Sequence, residues 1–131
     1  MRVLAVASAE MCATLTRQLT GLDVEVIGTT HASEVAHRIQ AGETFEVTIL
    51  PAALPHTEWW ALWGELCLLN PRPSILVYAR STTFQLWAGV LESGAYDLIA
   101  EPFSEEKIQD AVSRALRNFK SDEDASQETD G

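Results

Sequence analysis

The chain has 131 residues, 47% of them hydrophobic, and a formal net charge of −10 at pH 7. That length suits one domain with a real core, and no apolar run approaches the roughly 20 residues that span a bilayer. The N-terminal segment is too short for a secretory leader, so we expect a cytoplasmic protein that does not enter the membrane. Because so acidic a surface repels phosphate backbones, the composition argues against direct nucleic-acid binding.

The first part of the chain alternates strand and helix patterns. Residues 3–7 form a short apolar run, as in a central parallel strand covered on both faces. A helical pattern follows, and Ser8 is its candidate N-cap. Apolar and polar residues alternate over 23–29, which predicts a second strand. The second helix then begins after Thr30 or Ser33, either of which can cap it.

The middle of the chain repeats this order. Residues 45–50 predict a third strand, and Thr57 is the candidate N-cap of the helix that follows. Residues 74–79 predict a fourth strand. Ser81 or Thr82 can cap the fourth helix, so the strand–helix unit recurs with connections of only a few residues.

The last unit is a strand over 96–100 and a helix capped by Ser104. We expect the domain to cover 1–119 and the acidic segment 120–131 to be a disordered tail or linker. Five β-α units with short, right-handed connections predict an α/β fold, a parallel sheet with helices on both faces.

The chain from Arg2 to Phe119 resembles the receiver domain of bacterial two-component response regulators. The stretch 94–103, Gly-Ala-Tyr-Asp-Leu-Ile-Ala-Glu-Pro-Phe, is similar to the last conserved segment of that CheY-like family, and Leu54-Pro55 resembles its Met-Pro. The resemblance implies a flavodoxin-like strand order of 2-1-3-4-5 with the site at the carboxyl ends of the strands. It also implies a phosphorelay role: two acids hold Mg²⁺, an aspartate accepts a phosphoryl group, and a hydroxyl and a lysine bind its oxygens.

The residues at the matching positions of this chain cannot perform that reaction. They are Ala7 and Ser8 for the acid pair, Pro51 for the acceptor, Tyr78 for the hydroxyl, Glu101 for the lysine and Leu98 for the aromatic switch. Proline has no side-chain oxygen to form an acyl phosphate. We therefore interpret the chain as an atypical receiver-like domain without a phospho-acceptor, a bound metal or a cofactor.

Other candidate chemistry is weak. The resemblance makes Glu101-Pro102 a candidate cis peptide bond. Glu10 with Glu101 could be a rebuilt metal site, but a solvated acid is the simpler interpretation of Glu10. Ser8 has no base near it in sequence, and no serine, cysteine or acid stands at a catalytic spacing from a histidine. The sequence therefore predicts no enzyme.

Three tryptophans open the third helix. Trp59 and Trp63 share a face at i, i+4, whereas Trp60 points about 100° away, so the three cannot all face the core. Either one or two are core and another shields the emptied pocket with Tyr78, or at least one is exposed and anchors a partner. We leave both interpretations open, with Leu98 as a further candidate partner contact.

Two functions follow as hypotheses. The first is a phosphorylation-independent protein-interaction module in signal transduction, which binds a partner or itself through the fourth helix, fifth strand and fifth helix, the face that the family commonly uses. The alternative is a sensory pseudo-receiver that binds a small molecule at the carboxyl ends of the strands, lined by Pro51, Tyr78 and the tryptophans.

Overall fold

The structure, a computed structural model, describes residues 1–52, 56–69, 71–80, 84–92, 94–101 and 103–130. Of the side chains in these ranges, it leaves out those of His56, Thr57, Trp59, Phe84 and Trp87 and those of residues 120–130.

Five parallel strands form one sheet in the order β2-β1-β3-β4-β5. The strands are β1 (Arg2–Val6), β2 (Glu25–Thr29), β3 (Val47–Pro51), β4 (Ser74–Ala79) and β5 (Asp97–Ala100). The five helices are α1 (Ala9–Gln18), α2 (Ala32–Gln40), α3 (His56–Cys67), α4 (Phe84–Glu92) and α5 (Glu105–Asp130). The predicted fold class and strand order are confirmed.

Alternation along the central strands divides the core into two layers. Val3 and Ala5 face a first cluster that includes residues of α1 and α5, whereas Leu4 and Val6 face a second cluster that includes residues of α2, α3 and α4. All four side chains are at most 2% exposed. A strand buried on both faces carries a continuous apolar run, which is why 3–7 lacks the alternation of a half-exposed strand.

Two of the predicted helix caps are confirmed. The Ser8 hydroxyl accepts a hydrogen bond from the Met11 amide at 3.2 Å, and the Ser104 hydroxyl accepts one from the Lys107 amide at 3.1 Å. Each satisfies an amide that the first turn of a helix leaves without an intrahelical partner.

Two other predicted caps are wrong. The cap of α2 is His31, without a side-chain hydrogen bond, rather than Thr30 or Ser33. Thr57 lies inside α3, because that helix already begins at His56. Propensity favours a hydroxyl at the cap but does not fix where a helix begins, since packing on the sheet decides this. Ser81 and Thr82 lie outside the described residues.

Several element bounds differ from the prediction; β1 spans Arg2–Val6 rather than 3–7, and β5 begins at Asp97 rather than at 96. β2 begins at Glu25 rather than at 23, in register with Arg2 at the start of β1. β3 is shifted to Val47–Pro51, so that Pro51 pairs with Tyr78 at its end. The backbone of α5 continues to Asp130, where the sequence predicted a disordered tail or linker. No proline or glycine interrupts 120–130, and extending an existing helix needs no new nucleus. The domain boundary after residue 119 stays a prediction.

Among the described residues, no helix combines the length and the apolar composition that a membrane span requires.

Candidate functional site at the carboxyl edge of the sheet

Backbone hydrogen bonds extend the sheet one step past its strands and bring the predicted pocket residues to one edge. The Ala7 amide donates to the Thr29 carbonyl at 3.0 Å, and the Ala52 amide donates to the Tyr78 carbonyl at 2.9 Å. The Glu101 amide donates to the Ala79 carbonyl at 2.8 Å. The sheet therefore places the predicted residues at its carboxyl edge: Ala7 and Ser8 follow β1, Pro51 ends β3, Tyr78 is the penultimate residue of β4 and Glu101 follows β5.

Pro51 removes one donor from the centre of this edge. Successive residues of a strand point their amide and carbonyl to opposite neighbours. The Ala7 amide bonds to β2 and the Ala52 amide bonds to β4. The backbone carbonyl of Val6 therefore points toward β3, and the backbone nitrogen of Pro51 points toward β1. The register pairs Ala5 with Ile49, and its next step would join the Pro51 nitrogen to the Val6 carbonyl. Proline has no N–H to make that bond.

The side chain of Tyr78 supplies the missing donor. Its hydroxyl donates to the Val6 carbonyl at 3.2 Å. A carbonyl buried at the end of a central strand is costly without a partner, so the tyrosine compensates for the proline. Pro51 and Tyr78, which the resemblance matches to the acceptor and the hydroxyl, thus complete one structural unit.

Tyr78 is held in the core rather than exposed to a ligand. Its side chain is 8% exposed and belongs to the first cluster with Ala7 and Phe103. The ring of Phe103 meets it edge-on, with the centroids 6.4 Å apart. Burial, with a smaller contribution from the negative charge of Glu101, raises the pKa of Tyr78 to about 12. The hydroxyl therefore stays protonated and acts as a donor.

Glu101 and Arg80 form a mixed-charge pair at the rim. Arg80 Nε lies 3.8 Å from Glu101 Oε2; the Glu101 side chain is 17% exposed and that of Arg80 is 95% exposed. This distance exceeds that of a hydrogen bond, so the contact is a loose ion pair. An arginine so exposed contributes little to stability in this way. Sequence reasoning did not single out Arg80, although it follows β4 directly.

Ser8 is occupied as the cap of α1, as the sequence predicts. The ends of β1 and β3 carry Ala7, Ser8, Pro51 and Ala52, none of which has a carboxylate. Mg²⁺ requires oxygen ligands, usually including a carboxylate. Among the described residues, no three acids, histidines or cysteines lie close enough together to hold a metal ion. These residues do not fit the Mg²⁺ of the receiver reaction, and a rebuilt site on Glu10 and Glu101 lacks a third ligand of these types in the described chain.

An open cleft of about 620 Å³ lies beside this edge, lined by residues of α1 and by the residues that follow β4 and β5. Ser8 and Glu101 are the two predicted pocket residues that line it. The described lining includes neither Pro51 nor Tyr78 nor a tryptophan, so this cleft differs from the ligand pocket that the sequence predicts, and that pocket stays a prediction. Tyr78 fills the space between the sheet and the helices instead, and Trp63 belongs to the cluster on the other face of the sheet.

The predicted partner contacts separate into different environments. Trp60 is 48% exposed, whereas Trp63 is 6% exposed and lies in the second cluster. Trp63 is therefore a core residue and not a surface contact, because it lies on the sheet-facing side of α3. Leu98 is partly buried against the same cluster. The side chain of Trp59 and the Glu101-Pro102 bond lie outside the described part of the chain.

No protein-family model and no curated protein matches this sequence. Solved structures do match. The signal receiver domain of a putative LuxO repressor protein from Vibrio parahaemolyticus aligns with a TM-score of 0.79 and 16% identity, over 93% of this chain and 94% of that one. A CheY-like response regulator receiver domain protein from Methanospirillum hungatei gives a TM-score of 0.75 and 20% identity over 92% and 97%.

The structure of NtrX from Brucella abortus in complex with ATP gives a TM-score of 0.82 and 19% identity. That alignment covers 96% of this chain but 28% of NtrX, so the similarity concerns one part of a longer protein. The matched structures include isolated receiver domains over almost their whole length. The chain has the fold of a response-regulator receiver domain.

Proposed function

We propose that the chain is a receiver-like domain of two-component type signalling that does not take a phosphoryl group and acts as a protein-interaction module. The observation that carries this proposal is the Tyr78–Val6 hydrogen bond beside Pro51. In it Pro51, which the resemblance matches to the acceptor, is part of a packed structural element. Receiver domains are generally non-enzymatic modules that contact other proteins, which supports the second half of the proposal.

The charges at the edge support the same conclusion. A phosphoryl group at the end of β3 would meet the carboxylate of Glu101, which the family resemblance places where a lysine belongs. Arg80 offsets the charge of Glu101 at a distance of 3.8 Å but leaves no net positive charge for a phosphoryl group, and Glu10 in the same cleft adds a negative one. The residues at this edge would thus repel the group that the family reaction stabilises.

Incubation with acetyl phosphate and Mg²⁺, followed by intact mass measurement, tests the first half. We expect no added phosphoryl mass. An acid-labile or hydroxylamine-sensitive phosphoryl adduct would contradict the proposal. A receiver domain with an intact acid pair, acceptor and lysine, treated in parallel, shows that the reagent is active.

The interaction face that we propose consists of α4, β5 and α5. A charge cluster crosses it: the Arg114 guanidinium lies 3.8 Å from the carboxylate of Asp97 on β5 and 3.0 Å from that of Asp110 on α5. Arg114 is 45% exposed, so a partner can contact it. Gly89 on α4 leaves open space where a side chain would project, which permits close approach of another backbone.

Sedimentation velocity over a concentration series tests self-association through this face. We expect a concentration-dependent dimer that Arg114→Glu weakens, because the reversed charge would face Asp97 and Asp110. Arg17→Glu, on the exposed side of α1, is the matched control and should leave association unchanged. Equal weakening by both variants would mean that net charge, and not this face, governs association.

The cleft of about 620 Å³ favours a second candidate function, a sensor of a small molecule. Its volume lies in the range of ligand sites, and its place at the carboxyl edge is where folds of this kind bind ligands. Saturable changes in amide chemical shifts around the cleft in a metabolite screen, in the absence of a phosphodonor, would support it.

A further inference from the structure

The cleft beside α1 presents a positive and a negative side chain next to each other. Arg80 and Glu101 both line it, with 3.8 Å between the nearest nitrogen and oxygen. At that distance the pair does not use up the donors of the guanidinium or the acceptor sites of the carboxylate. Both groups therefore keep hydrogen-bonding capacity for a ligand.

We propose that this cleft binds a free α-amino acid with an apolar side chain. An α-amino acid carries its carboxylate and ammonium on one carbon, so the two charges can lie antiparallel to the Arg80–Glu101 pair. The carboxylate would accept from Arg80 and the ammonium would donate to Glu101. Both contacts are charge-assisted hydrogen bonds, which are stronger than neutral ones.

The rest of the lining discriminates against simpler ions. Glu10 is a second carboxylate in the cleft, so inorganic phosphate or a plain carboxylic acid would meet two like charges and one guanidinium. A plain amine would find the two carboxylates but would leave Arg80 without an anion and add a like charge beside it. A ligand that carries both charges satisfies both sides of the pair.

The apolar part of the lining accounts for the side chain of the ligand. Met11 and Phe103 line the same cleft, and both pack against the first cluster. Methionine adapts its shape to irregular apolar groups. The hydroxyl of Thr14 already donates to the Glu10 carbonyl at 3.1 Å, and that of Ser8 is the α1 cap. The lining thus favours an aliphatic side chain over a strongly polar one.

This inference rests on the second candidate function, a ligand site at the carboxyl edge, and not on the interaction face. Titration of the whole isotope-labelled chain with L-leucine, followed by amide chemical shifts, tests it. We expect saturable shifts at residues 8–14, 80 and 101. Isocaproate, isoamylamine and inorganic phosphate, each lacking one half of the charge pair or the apolar group, should bind at least about tenfold more weakly.

Two variants separate the charge pair from general effects. Arg80→Gln and Glu101→Gln should each weaken L-leucine binding about tenfold or more. Arg17→Gln, near the other end of α1 and outside the cleft lining, should not. Unchanged amide spectra elsewhere in each variant show that the fold is kept.

Three outcomes would overturn the inference: no saturable shift with L-leucine, equal binding of isoamylamine, or full affinity in Arg80→Gln. If L-leucine fails but another class of metabolite shifts the same amides, the amino-acid inference is wrong while the sensory function stands. If nothing in the screen binds, the sensory function fails as well.

Discussion

The Tyr78 hydroxyl bonds to the carbonyl of Val6, 72 residues away in sequence and on the far side of β3. The hydroxyl takes the place of the amide that Pro51 lacks. Two substitutions that look independent in the sequence are therefore coupled in the structure, and this coupling can be measured.

Tyr78→Phe should lower the free energy of unfolding by about 1–3 kcal/mol, because it leaves the buried Val6 carbonyl without a donor. Urea denaturation measures this loss. Tyr96→Phe is the matched control and should cost less, since Tyr96 is only partly buried where it packs against the same cluster. Pro51→Ala in the Tyr78→Phe background should recover part of the loss, because alanine provides an N–H toward β1. If the stability does not recover, the backbone nitrogen of residue 51 does not point toward the Val6 carbonyl.

Alkaline pH should destabilise the domain through Tyr78. Its pKa is raised from the ordinary value of 10 to about 12, so the unfolded chain loses this proton at lower pH than the folded one. The resulting stability is complete below about pH 10 and is lost as the pH rises to about 12. The stability of Tyr78→Phe should fall less over that interval. A titration of tyrosinate absorbance that shows no late-ionising group would contradict the assignment.

Thr48→Val should raise the free energy of unfolding by about 1 kcal/mol or more. Thr48 is fully buried in β3, and its hydroxyl has no hydrogen-bond partner among the described residues. Replacing an unsatisfied buried hydroxyl by a methyl group of similar size removes its desolvation cost.

Thr29→Val is the matched control for Thr48→Val. The Thr29 hydroxyl lies 2.8 Å from a carboxylate oxygen of Glu34 and 3.1 Å from the His31 carbonyl. We expect this variant to be less stable than the wild type, by about 1–3 kcal/mol. If both valine variants are destabilised alike, the Thr48 hydroxyl does make a hydrogen bond in the folded protein.

Acid should weaken the ion pairs that Glu43 forms with Arg2 and Arg38 at the amino-terminal edge of the sheet. Hydrogen bonding to Arg2, helped by the nearby charge of Arg38, lowers the pKa of Glu43 below its usual 4.5. The contribution of Glu43 to stability is therefore present above that pH and is lost as the pH falls below it, through the lowered pKa. The difference in urea midpoint between the wild type and Glu43→Gln should shrink over that range. A difference that does not change with pH would refute this.

The fold was predictable from the sequence because its signals are local or periodic. Such signals are the apolar run 3–7 and the helix caps Ser8 and Ser104, each of which depends only on neighbouring residues. Gly42 and Gly94, which follow α2 and α4, have φ of 89° and 102°, values that glycine adopts without strain.

The candidate site was predictable only in part. Local patterns place Ala7, Ser8, Pro51, Tyr78 and Glu101 at one edge, but not their roles. That Tyr78 bonds to Val6 depends on the register of three strands, which no local pattern encodes. The loose Arg80–Glu101 pair depends on side-chain placement across two loops. A proline at the end of a central strand was a usable signal, because it implies a carbonyl that needs another donor.

The Pro51–Tyr78 arrangement also limits how this domain could have changed over time. An aspartate introduced at 51 alone would have no lysine at 101 and no acid pair at 7 and 8 to hold a cation. A lysine introduced at 101 alone would find no phosphoryl group to bind. Each of these single changes brings no phosphoryl chemistry without the others, so substitutions that adapt such a domain to a protein partner or a ligand are easier to reach.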